Sequence, residues 1–201
     1  MKRILLAALV TLGLLPMAGV TAVDPKVIEG CEDCHGAHGV SGSQDVPSIA
    51  GASATTLSDA LKDYHAKKRP CPKVNYKRGD TQRQGDMCGS AKDLTDSAIA
   101  DLSAYFEKQS YVAMKQAFDA AKVPAGKAIH ERDCKKCHSK GGKDPADDAG
   151  ILAGQPLDWM KASLAAAKKG EAEHPKKMND VVTKLSDADI ESLAHYYASE
   201  Q

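Results

Sequence analysis

The sequence predicts an all-α chain built as two copies of one small helical unit, and three observations carry that prediction. Cys31-Glu32-Asp33-Cys34-His35 returns as Cys134-Lys135-Lys136-Cys137-His138, 103 positions later. Near the end of each half, apolar residues fall on one helical face: Ile99, Leu102 and Phe106 in the first, Ile190, Leu193, Ala194 and Tyr197 in the second. No stretch sustains the apolar–polar alternation of a strand.

The repeat extends beyond the cysteine motif. Ile49-Ala50-Gly51 matches Leu152-Ala153-Gly154 at the same offset of 103, whereas Leu94-Thr95-Asp96 matches Leu185-Ser186-Asp187 at 91. Met87 and Met178 also differ by 91. The change of offset places about twelve extra residues in the first half, within 67–86.

The elements follow in order. Lys2 and Arg3, the apolar run Ile4 to Met17 and the small residues Val20-Thr21-Ala22 read as a signal peptide over 1–22, too short for a membrane span and cleaved on export to the periplasm. No later segment approaches membrane-spanning length, so no stable span is expected after cleavage. The first unit occupies 23–109, with a middle helix around Leu61. Tyr111, Met114, Phe118 and Ala121 continue a helical pattern through a connector over 110–125, interrupted by Pro124 and Gly126. The second unit, 126–201, has a middle helix over Leu157 to Lys168. Its final helix opens on Ser186 with Asp189 three positions on, a capping box. Thr95 opens the equivalent helix of the first unit.

Composition narrows the function. The chain has 27 basic and 27 acidic residues, which argues against nucleic acid as a partner, because phosphate binding needs a basic excess. After removal of 1–22 there remain 25 basic and 27 acidic residues, a formal charge of −2. With two Phe and one Trp, each core is short of large apolar side chains, and a bulky apolar cofactor in each half makes up the difference.

The repeated motif names that cofactor. In CxxCH, two thiols three residues apart add to the two vinyl groups of one porphyrin, and the adjacent His lies beneath the iron. Two disulfides or a zinc site compete with this reading. Zinc ribbons space their CxxC pairs about 15–20 residues apart, far less than the separation here. Cys31, Cys34 and His35 thus bind one haem c, and Cys134, Cys137 and His138 a second. Met87 and Met178, each seven residues before the Leu of the final segment, are the expected second axial ligands, so the iron ligands are His35 with Met87 and His138 with Met178. A thioether ligand raises the haem potential relative to a second His. The competing ligands are His65 in the first half and His174 in the second; His130 and His195 fall on predicted helices, and Met114 and Met160 read as packing. Pro47 is placed to accept a hydrogen bond from His35, and Gly150 is its counterpart for His138.

Cys71 and Cys88 lie in the inserted segment beside Met87. In an exported chain a disulfide closing this 17-residue loop, worth roughly 3 kcal/mol, is the default; a thiolate bound to iron, or carrying sulfur chemistry, is the alternative. Lys62, Lys67, Lys68, Arg69, Lys73, Lys77, Arg78 and Arg83 make the same region basic. Such a run is a solvated face or a surface that steers docking.

With CEDCH and Met87, CKKCH and Met178, and the closing segments LTDSAIADLSAYF and LSDADIESLAHYYAS, the chain over 23–201 resembles a tandem of two class I cytochrome c domains, as in the diheme cytochrome c4 family. YFEKQSYVAMKQAFDAAK and CKKCHSKGGKDPADDAGILAGQ resemble, more narrowly, the cytochrome subunit of flavocytochrome c sulfide dehydrogenase. That likeness implies a subunit with no catalytic activity alone, receiving electrons from an FAD-containing flavoprotein that oxidises sulfide and passing them to a soluble acceptor or terminal oxidase. The Cys71/Cys88 insertion departs from it. The rival readings are a free cytochrome c4-like carrier and a diheme enzyme oxidising a sulfur compound.

Overall fold

The computed structural model describes residues 23–201; the predicted signal peptide lies outside them. The first half contains α1 (Pro25–His35), α2 (Ala54–His65), a hairpin of β1 (Val74–Arg78) and β2 (Thr81–Gly85), α3 (Met87–Ala91) and α4 (Asp96–Glu107). The second contains α5 (Val123–Ile129), which widens into a π-turn over His130–Cys134, one irregular turn α6 (Ser139–Gly142), α7 (Leu157–Lys168), α8 (Lys176–Val182) and α9 (Asp187–Ser199). None of these helices is long and apolar enough to cross a membrane.

The helix starts follow their capping residues. Asp24 accepts from the Lys26 amide at 2.9 Å just ahead of Pro25, a residue whose missing N–H costs nothing in a first turn. Thr95 caps α4, and Ser186 and Asp189 form the expected capping box on α9. The inner faces of these two helices are buried as their spacing predicts: Ile99, Leu102 and Phe106 on α4, and Ile190, Leu193, Ala194 and Tyr197 on α9. In the second half they join Met160, Leu164 and Val182 in one core. Full burial of a side chain such as Leu193 contributes about 1.5–3 kcal/mol.

The repeat is visible in backbone hydrogen bonds. Ile49 and Ala50 N–H donate to the Gly39 carbonyl, and Leu152 and Ala153 N–H to that of Gly142. Gly51 N–H donates to Phe106 O at 2.8 Å, and Gly154 N–H to Tyr197 O at 2.8 Å. In both halves, therefore, the loop after the cysteine motif docks on the end of the final helix. Gly51 and Gly154 turn with φ of +69° and +70°, and a Cβ at Gly154 would collide with Ala113.

Two local expectations are corrected. The inserted segment is an antiparallel hairpin, pairing Val74 with Gly85 and Arg78 with Thr81. Its turn, Gly79-Asp80, takes φ of +58° at Gly79, the positive φ that a tight two-residue hairpin turn needs at its first position. The connector is not helical from 110 to 119 but irregular, forming neither helix nor strand. Its polar groups find partners on the second half instead of on their own turn. Met114 N–H donates to Gly154 O, Tyr111 Oη to Ala153 O at 2.6 Å and Gln116 Nε2 to Gln155 O at 2.7 Å, while Asp119 N–H donates to His195 Nδ1. The apolar stripe at 111, 114 and 118 followed helical spacing, but these outside bonds replace the helical ladder.

The halves also meet directly. Buried Gln155 accepts from Ser48 N–H and donates to Ser48 O, both at 2.9 Å. Trp159 N–H donates to Gln44 O, and Glu173 N–H to Lys68 O.

Candidate functional site

The first cysteine motif closes α1. One helical turn separates Cys31 from Cys34, so both thiols project from the same side of the helix end. Both are free and half-buried. Burial, then the neighbouring Cys34 and Glu32, pushes the Cys31 thiol up to about 11. Burial and Asp33 raise Cys34, with Arg78 opposing, and burial raises Cys134. These thiols are therefore not poised as catalytic thiolates, which suits residues destined to become thioethers.

His35 is buried, and its Nδ1 lies 2.8 Å from the Pro47 carbonyl. A carbonyl can only accept, so Nδ1 carries the proton and Nε2 keeps the lone pair that a metal needs. Burial lowers the pKa of the ring, holding it neutral, while the Pro47 carbonyl opposes that shift. Pro47 is thus the ring-orienting acceptor that the sequence suggested.

The second motif spans the π-turn, Cys134, and the turn that follows. His138 Nδ1 is buried without a hydrogen-bond partner; Gly150 O lies on its side of the site and only partly opposes the lowering of its pKa by burial. One turn earlier, His130 is fully buried, with Nδ1 3.0 Å from Tyr197 Oη and Nε2 unpartnered. Asn179 Oδ1, beside Met178, is the remaining buried polar side-chain atom without a partner among the described residues.

Met87 and Met178 are both half-buried, but they sit on short helices and not on open loops. Met87 opens α3, where the Asp86 side chain accepts from Gly89 N–H at 2.7 Å. Met178 lies in the first turn of α8 and packs on the second core, as does Cys134. The competing histidines are placed differently from one another, and the bond at His65, like that at His35, leaves its Nε2 free. His65 Nδ1 faces Ala91 O at 3.0 Å, His195 accepts from the connector, and His174 lines an interdomain groove with Asp59, Lys62 and Asp63. Cys71 and Cys88 are joined in a disulfide, Cα–Cα 5.7 Å. The alternative of a Cys71 or Cys88 thiolate on iron is thereby overturned.

These residues fit haem c. Each half offers two free thiols on one turn followed by a neutral imidazole, and the two cysteines outside the motifs are spent on each other. His138 Nδ1, and Asn179 Oδ1 next in sequence to Met178, are left buried without a partner. The sequence did not reveal the Gln155–Ser48 bridge or the His130–Tyr197 pair, which are long-range contacts without a local signature. The hairpin had one: Gly79-Asp80 between β-prone segments.

Residues 25–110 match the model of the family described as cytochrome c, and residues 121–196 that described as cytochrome c oxidase, cbb3-type, subunit III. Cytochrome c4 of Azotobacter vinelandii is 26% identical and that of Stutzerimonas stutzeri 29%, in each case over 98% of both chains. Cytochrome c-554(548) of Halomonas halodenitrificans is 32% identical over 46% of this chain and 99% of its own. Among solved structures, reduced recombinant cytochrome c4 from Pseudomonas stutzeri aligns with a TM-score of 0.69 at 25% identity, covering 90% of this chain and 100% of that one. Thiosulfate dehydrogenase (TsdBA) from Marichromatium purpuratum also gives 0.69, at 26% identity, over 85% of this chain and 36% of that one.

Proposed function

The chain belongs to the cytochrome c family, and from that premise we propose that it is a free, periplasmic two-haem electron carrier of the cytochrome c4 kind. Its two cytochrome c domains carry two covalently bound haem c. The observation that carries the reading is the pairing of two complete CxxCH sites with cytochrome c4 relatives that match end to end. In this reading the domains divide as 23–109 and 126–201, joined by 110–125. Export is supported by the signal-like residues 1–22 and by the disulfide, a bond that persists in oxidising compartments.

Bound haem supplies one-electron chemistry; this chain supplies attachment, axial ligands and shielding. Cys31 and Cys34 would hold one group and Cys134 and Cys137 the other. His35 and His138 would present Nε2 to iron, the first with its ring fixed by Pro47. Met87 and Met178 would complete the ligand sets. Burial keeps Cys31, Cys34 and Cys134 as protonated thiols when unmodified, and the reading assigns the chain no catalysis of its own.

The narrower reading, a haem subunit beside an FAD-containing sulfide dehydrogenase flavoprotein, rests on the sequence resemblance and draws no support from these relatives. A sulfur-linked role keeps one supporting observation, the likeness to part of the thiosulfate dehydrogenase.

The test is purification of the native protein with haem and flavin spectra and titration of both haems. A flavin-free diheme protein that cycles reversibly, and that sulfide does not rapidly reduce, meets the expectation. Stoichiometric flavin with rapid sulfide reduction refutes the free carrier. Met87→His and Met178→His should each lower the potential of one haem, within the ~0.8 V range that axial ligands command.

A further inference from the structure

The inserted segment is the part of the first domain that its repeat partner lacks, and it is strongly charged. Residues 67–85 hold seven basic side chains and one acidic, while 23–201 as a whole is formally −2. The remainder of that stretch therefore sums to −8. Three of the seven cations are paired: Lys68 with Glu173, Arg69 with Asp63 and Arg78 with Asp33. Lys67, Lys73, Lys77 and Arg83 have no ion-pair partner among the described residues.

The hairpin register separates two faces. Val74 and Tyr76 are half-buried on the face that carries Arg78, whose Nε donates to Asp33 at 2.6 Å. Asp33 belongs to the CEDCH motif, and a Cβ at Gly30, the residue before that motif, would lie 3.7 Å from Arg78 Nη2. This face is thus fastened to the haem-attachment turn, and the disulfide fastens the hairpin base beside Met87. The opposite face presents Lys73, Asn75, Lys77, Gln82 and Gln84, all exposed, with no carboxylate and no large apolar group.

We propose that this outward face is a docking surface for an acidic redox protein, which it brings to the attachment turn of the first domain. The proposal rests on the electron-carrier reading. A local positive surface on a chain that is negative elsewhere orients an acidic partner toward one end of the molecule and raises its encounter rate there. Exposed amides among the lysines suit adaptable hydrogen bonds to carboxylates. The face lacks the apolar wedge by which a basic surface element enters a lipid interface, which favours a protein partner over a membrane. One electron crosses per encounter, lost by the partner and gained by the iron of the first domain, and no bond is made or broken.

The test uses the full-length holoprotein and stopped-flow reduction by reduced flavodoxin, an acidic flavoprotein chosen as probe. The wild-type rate should fall as salt rises. Lys73→Glu with Lys77→Glu should slow it about tenfold at low ionic strength and flatten the salt dependence; the Gln pair should fall between. Lys169→Glu with Lys184→Glu makes the same charge change on the second domain and should alter the rate less than about twofold. Equal effects of the two Glu pairs, or none at the hairpin, overturn the proposal. So does binding to phosphatidylglycerol vesicles that depends on Lys73 and Lys77 while the flavodoxin rate does not. Reduction by an uncharged hydroquinone separates the two levels. If every variant accepts electrons from it, the carrier reading stands whatever the hairpin does. If the wild type accepts none, the carrier reading falls as well.

Discussion

Gly126 lies where α5 crosses α9, and its replacement by Ala should strongly destabilise the second domain. A Cβ there would stand 2.7 Å from Tyr196 Cβ and 2.6 Å from the Ser192 carbonyl carbon, with the carbonyl oxygen nearer still. Ordinary carbon–carbon contact is about 3.5–4.0 Å, so the crossing must open by about 1 Å. The obstruction is helix backbone, which cannot swing aside as a side-chain tip does. Overpacking costs about 1–3 kcal/mol, and a backbone clash falls at or above the upper end. Ala returns up to about 1 kcal/mol through helix propensity, leaving a loss of about 2 kcal/mol or more. With a urea slope of about 1 kcal/mol/M for a unit of this size, the midpoint drops by about 2 M. The assay is urea titration of the holoprotein read by fluorescence of Trp159, the single tryptophan, which packs on this core. Gly30→Ala is the control: it sits inside α1 with a single neighbour at 3.7 Å and should gain up to about 1 kcal/mol, read from the first domain by haem absorbance. A Gly126→Ala midpoint equal to the wild type would refute the reasoning.

Other perturbations have equally definite outcomes. Gln155→Ala strands the N–H and C=O of Ser48 and should cost about 1–3 kcal/mol, seen as a single unfolding transition splitting in two. Replacing both Cys71 and Cys88 by Ser reopens a 17-residue loop and should lower the stability of the first domain by up to about 3 kcal/mol, measured by thermal melting. Burial holds His130 and His195 below the ordinary histidine pKa. The unfolded chain then takes up these protons first as pH falls below about 6.5, so stability declines from there downward. Urea midpoints between about pH 8 and pH 5 should show this decline, and His130→Phe should flatten it.

Both attachment motifs, the repeat and the helix caps were legible in the sequence because each is a local pattern. Ser186 and Asp189 meet within one turn, and Cys31, Cys34 and His35 within two. Met87 and Met178 were singled out through the repeat offset, although the short helices carrying them were not anticipated. The connector misled because residues 111–119 have helical spacing while their hydrogen bonds are claimed by Gly154, Gln155 and His195. Strand alternation was missed in the hairpin because its outer face is polar and its inner face is only half-buried on α1, so the period-2 contrast is faint.

Pro47 and Ser48 are consecutive, yet they serve different masters. The Pro47 carbonyl holds the His35 ring, and the Ser48 backbone is clasped by Gln155 of the other domain. A single peptide unit links the posture of the two halves to the tilt of one imidazole. A partner or mutation that pries the halves apart at Gln155 pulls on that ring, so the first redox centre registers the strain of their parting.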